Sequence, residues 1–407
     1  MQQNIMIPKT APSNDGRPDS TLAWQIGLAM FCRLILNSAR RFAYPFAPAL
    51  SRGLGVHLTA ITSVIAINQA TAVLGIFFGP LADRLGYRFM MLAGMGVLAV
   101  GMMSGGFFPF YGVILIALFL AGLGKSIFDP AIQSYVGEHV PYHRRGLAIG
   151  TIEFSWAGST LLGVPLIGLL IEHFGWRAPF YAMGGAALLG LLALMVLIPK
   201  DRKNPVKNPT DKRIRDAWRQ LVTNRSTLGA IGFAFFVSAA NDNLFVVYGA
   251  WLERSFSLSV VALGIGTGII GAAELGGEVL TATVSDWLGL KKAVALGMSL
   301  CIVSYGFLPL LSQTLPFAMG GLFCIFLTYE FTIVSALSLC TELLPGMRAT
   351  MMSGFLGAAG AGRVIGALIG GPIWLKGGIF ITSLVSAVIS ILGLLCLIWG
   401  LYDWRSR

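Results

Sequence analysis

Nine ionisable side chains stand inside or at the ends of otherwise apolar stretches of this sequence: Arg33, Lys125, Asp129, Glu153, Asp242, Glu274, Glu278, Glu330 and Arg363. A charge at the centre of a bilayer costs at least ~2.5 kcal/mol on insertion scales, so such groups face protein or a wet cavity. Carboxylates in that setting are candidates for carrying protons, and cations for holding counter-ions or anionic ligands. Lys125 and Asp129 are four residues apart and share a helix face; Glu153 is a candidate third member. A carboxylate that pairs with Lys125 in one state and takes a proton in another would couple proton movement to a change of shape. The alternative is a static buried ion pair that only fixes helix packing.

Glu274 and Glu278 are also four apart, and two neighbouring carboxylates in low dielectric resist ionising together. Arg363 could neutralise one of them, and Glu278, near the end of its apolar run, could instead serve a gate. Asp242, between Asn241 and Asn243, and Glu330, beside Tyr329, are expected to face the same cavity. Glu153, Asp242 and Glu330 have the strongest claim to proton or substrate binding. Arg33 is read as a counter-ion to Glu153 or Asp129, or as a ligand for an anionic substrate. Arg40 and Arg41, further along the same helix, could snorkel to the interface. Trp156, Tyr44, Phe128, Trp251 and Phe245 could line an apolar wall, or could be packing and interfacial residues.

The elements that must position these groups are long and apolar. Of the 407 residues, 56% are hydrophobic and 12% charged, about half the charge that a water-facing surface needs. Runs of about 20 apolar residues mark membrane spans, and twelve are expected: 22–44, 58–81, 89–108, 111–136, 147–172, 179–198, 227–251, 259–284, 292–311, 315–340, 350–373 and 378–402. They are numbered helices 1 to 12 below. Helices 3, 6, 9 and 12 carry no ionisable residue in their apolar cores, which predicts that these four face lipid while the others surround a cavity. The expected domains are a polar tail (1–20), a six-helix bundle (21–199), a basic linker (200–225) and a second six-helix bundle (226–403). The linker carries Pro205, Pro209 and a possible amphipathic helix around Ile214–Val222. The tail, with Pro8, Pro12 and Pro18, reads as disordered rather than as a cleavable signal.

Of the 29 Lys and Arg residues, only Arg52, Arg177, Arg254 and Lys376 fall in loops on the side opposite the termini. The positive-inside bias therefore places both termini in the cytoplasm. The basic residues lie between apolar runs rather than on one folded face, which argues against a nucleic-acid partner. The five cysteines and four histidines have no metal-site or disulfide spacing, and no GxxxxGK[ST] loop occurs. No cofactor, metal or enzymatic activity is expected.

The halves repeat. Asp83, Leu85, Gly86 and Arg88 match Asp286, Leu288, Gly289 and Lys291 at one offset; Glu138, Pro141, Arg144, Gly150 and Gly158 match Glu342, Pro345, Arg348, Gly354 and Gly362 at almost the same offset. Parallel six-helix repeats with a site between them near the midplane are a known transporter architecture. The segment Gly79-Pro80-Leu81-Ala82-Asp83-Arg84-Leu85-Gly86-Tyr87-Arg88 resembles the signature loop between helices 2 and 3 of the Major Facilitator Superfamily, and Ser285-Asp286-Trp287-Leu288-Gly289-Leu290-Lys291 is its weaker copy. The resemblance implies an all-α membrane fold and a gate latch: Asp83 meeting the N-terminus of helix 11, with Arg84 and Arg88 anchoring the loop at the inner leaflet. Helix 5, with Gly158, Gly163, Pro165 and Gly168, is similar to the helix-5 motif of antiporters in the superfamily, although Val164 stands where a glycine is usual. The other reading of these residues is packing and a kink. Helix 4 carries Lys125 where drug–proton antiporters have an arginine.

The expected function is secondary active transport by alternating access, exporting a small organic or amphiphilic compound in exchange for protons. The alternatives are proton-coupled uptake of a metabolite, and a non-transporting membrane enzyme or partner protein. The expected partners are a small-molecule substrate, protons and the lipid bilayer, with the chain a monomer in a bacterial inner membrane.

Overall fold

A computed structural model describes residues 20–140, 152–199, 221, 223–344, 348–402 and 404. The tail and nearly all of the expected linker, including the possible amphipathic helix except Leu221, lie outside the described residues. Every regular element among the described residues is helical. Among the described residues eleven stretches are long and apolar enough to cross a membrane, and the last of them, Met351–Gly400, has 50 residues. Unbroken, it would run ~75 Å, more than twice the ~30 Å hydrocarbon core. It breaks at Gly378, whose φ of 59° and ψ of −156° suit a residue without a Cβ. The result is twelve crossings, as the apolar runs predict.

The helices are 1, Ser20–Arg41; 2, Leu58–Leu85; 3, Tyr87–Phe107; 4, Tyr111–His139; 5, Ile152–Phe174; and 6, Ala178–Leu197. The second bundle contains helices 7, Arg225–Phe245; 8, Val260–Leu288; 9, Leu290–Leu311; 10, Leu315–Leu343; 11, residues 348–377; and 12, residues 379–400.

Helix 7, expected to run unbroken over 227–251, is interrupted, and helix 1 is followed by a short helix beyond its expected span. Helix 1 ends at Arg41 and resumes, after a turn, as the short helix Ala47–Leu54. Pro45 sits in the turn and Pro48 in the first turn of the short helix, where a missing N–H is tolerated. Helix 7 stops at Phe245 and resumes as Tyr248–Phe256. The two interruptions meet: Gly249 lies against the Pro45 backbone, where a Cβ would collide. The short helices also touch, and Arg52 Nη2 reaches Glu253 Oε1 at 2.7 Å. The two halves are thus joined on the face away from the chain termini.

Two further seams join them. Helix 5 crosses helix 8 through small residues, with Gly168 against the Val260 carbonyl and Gly264, and Gly271 against Thr160 and Leu161. This gives the Gly/Pro residues of helix 5 a packing role. Just before Pro165 the helix widens into a π turn, Ser159–Gly163. Pro165 has no N–H to offer residue 161, and a wider turn accommodates that loss. Helix 2 lies along helix 11, with Ala72 on Gly360 and Thr62 on Gly371.

Helices 3, 6 and 9 pack within their own halves. Helix 12 packs on helix 7, with Gly229 against Gly400 and Asn243 Nδ2 donating to Ser386 Oγ and the Thr382 carbonyl, both at 3.0 Å. Their outward residues, such as Val100, Leu189, Phe307 and Leu395, are exposed and suit contact with lipid.

The signature loop and its copy fold alike. Gly86 ends helix 2 at φ 96°, ψ 147°, and Gly289 ends helix 8 at φ 79°, ψ 133°. The basic residue two positions on reaches the end of another helix in each half: Arg88 Nη2 donates to the Met195 carbonyl and Lys291 Nζ to the Leu401 carbonyl, both at 2.5 Å. Cations at helix C-termini satisfy open carbonyls and complement the dipole. The side chains of Gly79, Asp83, Arg84 and Asp286, and of Thr350 at the start of helix 11, lie outside the described set. Lys291→Met is expected to lower stability by about 1 kcal/mol, read from thermal unfolding in detergent. An unchanged midpoint would remove this role from Lys291.

Candidate functional site

The charged residues gather in two groups. The first lies within the first half. Arg33 of helix 1 reaches Asp129 of helix 4 (Nε to Oδ1, 3.0 Å) and Glu153 of helix 5 (Nη1 to Oε2, 3.0 Å), and also donates to the Ile152 carbonyl at 3.1 Å. Lys125 Nζ meets the other Asp129 oxygen at 2.5 Å. Two cations face two anions, so this group is balanced. Its exposure is uneven: the Arg33 and Lys125 side chains are about 6% exposed, Asp129 23% and Glu153 39%. Glu153 is therefore the member that water reaches. Lys125 Nζ also lies 5.5 Å from the centre of the Trp156 ring.

The second group joins the halves. Arg41 of helix 1 makes a two-pronged contact with Glu274 of helix 8, one hydrogen bond measuring 3.1 Å, and Thr160 Oγ1 of helix 5 donates to the same carboxylate at 3.1 Å. The Arg41 guanidinium stacks over Trp156 at 4.3 Å and lies 5.5 Å from the Phe245 ring, an arrangement favourable for a cation. Tyr44, in the turn after helix 1, donates to Asp242 Oδ1 at 2.6 Å and packs on Phe245 with ring centres 4.3 Å apart. Arg363 Nε is 3.9 Å from the other Asp242 oxygen, a loose contact. Arg40 gives Nη2 to Gln69 Oε1 at 2.6 Å, and its buried Nε has no partner.

Glu330 of helix 10 is 7% exposed and makes no hydrogen bond or ion pair among the described residues. Glu274, Glu278, Arg41 and Arg363 are its charged neighbours. Glu278, half-buried, stands within electrostatic reach of Glu153 across the seam between helices 5 and 8.

All eight residues expected at the cavity thus belong to one charged region, but several pairings differ from the expected ones. Arg33 serves both Asp129 and Glu153, which removes the surplus negative charge that Lys125, Asp129 and Glu153 alone would carry. Arg363 turns to Asp242 rather than to the helix-8 carboxylates, and Arg41 takes Glu274. Arg40 and Arg41 are buried and do not snorkel. Phe128 is core, and Trp251 packs near Phe256 away from the charged groups. Gln69 and Thr160 escaped the sequence reading because a lone amide or hydroxyl in an apolar helix has many structural uses. Their signal is only their place at mid-span on helices 2 and 5. Among the described residues no group of His, Cys, Asp and Glu could hold a metal ion.

Twelve apolar crossings enclosing buried charges from both halves define a polytopic membrane transporter. The chain belongs to the Major Facilitator Superfamily, whose profile matches residues 28–367. The MFS-type transporter YceJ of Bacillus subtilis is 26% identical, covering 76% of this chain and 79% of its own length. A gallate transporter of Pseudomonas putida is 25% identical over 88% of this chain and 87% of its own. The multidrug resistance protein MdtG of Salmonella paratyphi B is 23% identical over 73% and 74%. In fold, the chain is similar to a bacterial homologue of the human lysosomal transporter Spinster in an inward-facing, unoccupied conformation, with a TM-score of 0.78 at 15% identity, covering 96% of this chain and all of that one.

Proposed function

We propose that this chain is a proton-coupled secondary transporter of a small organic compound, working by alternating access in a bacterial inner membrane with both termini cytoplasmic. The observation that carries the reading is Glu330: a carboxylate buried at mid-helix with no counter-ion in hydrogen-bonding distance, within the charged region between the halves. Burying an unpaired carboxylate is costly, and binding a proton removes the cost. Proton loss there, with charged neighbours on helices 1, 8 and 11, would change the force between the two halves. Glu153, the carrier expected from sequence, is paired with Arg33.

Export in exchange for protons is supported by the likeness to a multidrug resistance protein. Import together with protons is the second reading. It is favoured by Arg40 and Arg363, two cations facing the single carboxylate of Asp242.

The test is a panel of organic acids, amines and neutral compounds added to proteoliposomes loaded with a pH-sensitive dye. The expected result is lumenal pH change for a subset of compounds, its sign giving the direction of coupling. Glu330→Gln is expected to lose more than ~90% of gradient-driven accumulation, the scale of one essential proton site, while exchange of labelled for unlabelled compound persists. Accumulation that survives in Glu330→Gln but fails in Glu153→Gln would return the proton to helix 5.

A further inference from the structure

We propose that Arg40, Arg363 and Tyr329 form a binding site for the carboxylate of a small organic monoanion, with its apolar body against the neighbouring aromatic side chains. The inference rests on the second form of the transporter reading above, movement of the compound together with a proton, and names its substrate class.

Charge balance isolates these residues. Arg33 and Lys125 are matched by Asp129 and Glu153, and Arg41 by Glu274. Arg40 and Arg363 remain, near enough to each other to repel, with Asp242 within electrostatic reach of both. Asp242 is itself shared: one oxygen accepts from Tyr44 and the other is 3.9 Å from Arg363. Arg40, buried, and Arg363, partly buried, near one loosely held carboxylate leave a surplus of one positive charge. A monoanion cancels that surplus, whereas a dianionic phosphate ester would reverse it.

Unused donors point the same way. Arg40 Nε is buried without a partner, and the Tyr329 hydroxyl, buried beside the Arg363 guanidinium, has no acceptor for its proton. Buried donors are satisfied in the great majority of cases, and guanidinium forks match carboxylates in shape as well as charge. Arg363, at 24% side-chain exposure, is the route by which a ligand arrives. Tyr44 and Phe245 stack beside Asp242, and Trp156 with Phe245 flanks Arg41, so an aromatic or branched body finds apolar neighbours.

The surplus also depends on Glu330. Its charged neighbours are Arg41 of helix 1, Glu274 and Glu278 of helix 8 and Arg363 of helix 11. With Glu330 protonated the positive surplus stands and the anion is held. With Glu330 ionised, its charge and that of Asp242 match Arg40 and Arg363, and those four groups balance without a ligand. One anion and one proton therefore bind together.

The test uses the purified full chain in detergent, with benzoate, pentanoate, benzamide, benzylammonium and phenyl phosphate as probes and thermal stabilisation as the readout. The carboxylates are expected to stabilise the protein more strongly than the phosphate ester, with no effect from the amide or the amine. Arg363→Gln and Arg40→Gln are each expected to weaken carboxylate binding at least about tenfold, the scale of one charge-assisted hydrogen bond. Arg363→Lys, which keeps the charge, covers the case in which a glutamine variant fails to fold, and should retain part of the binding. Stabilisation by the amide or amine alone, by no carboxylate at all, or equally in the arginine variants overturns the site. Carboxylate binding without proton movement in proteoliposomes upholds the site and overturns the coupling. Proton-coupled transport of a neutral compound overturns the site alone.

Discussion

Glu274→Ala is expected to destabilise the protein by about 3–5 kcal/mol, the cost of stranding one member of a buried ion pair. Arg41 and Glu274 have side chains only 5% and 4% exposed, and the contact uses both prongs of the guanidinium, which makes it strong and directional. Without the carboxylate, Arg41 keeps the Trp156 and Phe245 rings, and cation–π contacts contribute only about 0.5–2 kcal/mol. Thr160 loses its acceptor as well. Arg41→Met with Glu274→Met should recover most of the loss, because no charge is then left buried. The pair spans helices 1 and 8, one from each half, so the double variant should also loosen the junction of the halves on the face away from the termini. Cysteines placed at Arg52 or Glu253, where the halves meet away from the termini, would then label faster. The measurements are unfolding midpoints in detergent and labelling rates in membranes. Single variants costing under about 1 kcal/mol, or a double variant costing the sum of the singles, would mean that the contact does not hold the halves together.

What the sequence revealed and what it hid divide along physical lines. Spans are legible because hydrophobicity is additive along a chain and lipid demands about 20 apolar residues at a stretch. The absence of charge from helices 3, 6, 9 and 12 carried over to packing because a buried charge cannot face lipid. The pair Lys125–Asp129 was legible because helical geometry alone sets four-residue spacing. Partners on different helices were not, because helix rotation and depth decide them. Arg363 and Glu274 illustrate this: each has its counter-ion on a helix that spacing cannot link to it. Arg40 and Arg41 illustrate a second limit. Their approach to the end of helix 1 suggested an interface, but the chain turns at Pro45 and continues as a helix to Leu54, which leaves both arginines beneath further protein. Tyr44, read as an apolar wall, turned out to matter through its hydroxyl on Asp242. A break that follows from proline is partly readable. The matching break after Phe245, with no proline nearby, depends on Gly249 meeting Pro45 from the other half and has no local signal.

Arg33→Met is the second change with a large expected effect, and its consequences depend on which partner is left alone. The variant should cost about 2–4 kcal/mol, less than Glu274→Ala, because the two carboxylates it deserts are not equally stranded. Asp129 keeps Lys125 at 2.5 Å. Glu153 loses its only cation among the described residues but is 39% exposed, so water can take over part of its solvation. The first group would then hold one cation and two anions, a surplus of one negative charge. Removing that charge at Glu153 should help most: Arg33→Met with Glu153→Gln leaves Lys125 and Asp129 as a self-sufficient pair and is expected to recover the greater part of the loss. Removing it at Asp129 should not help, because Arg33→Met with Asp129→Asn separates Lys125 from its hydrogen-bonded partner and strands a buried ammonium. The order of unfolding midpoints is therefore Arg33→Met with Glu153→Gln highest, Arg33→Met alone intermediate and Arg33→Met with Asp129→Asn lowest. If the Asp129→Asn double variant is rescued as well as the Glu153→Gln one, Lys125 is not tied to Asp129, and the charges of helices 1, 4 and 5 act as an interchangeable pool instead of as two defined pairs.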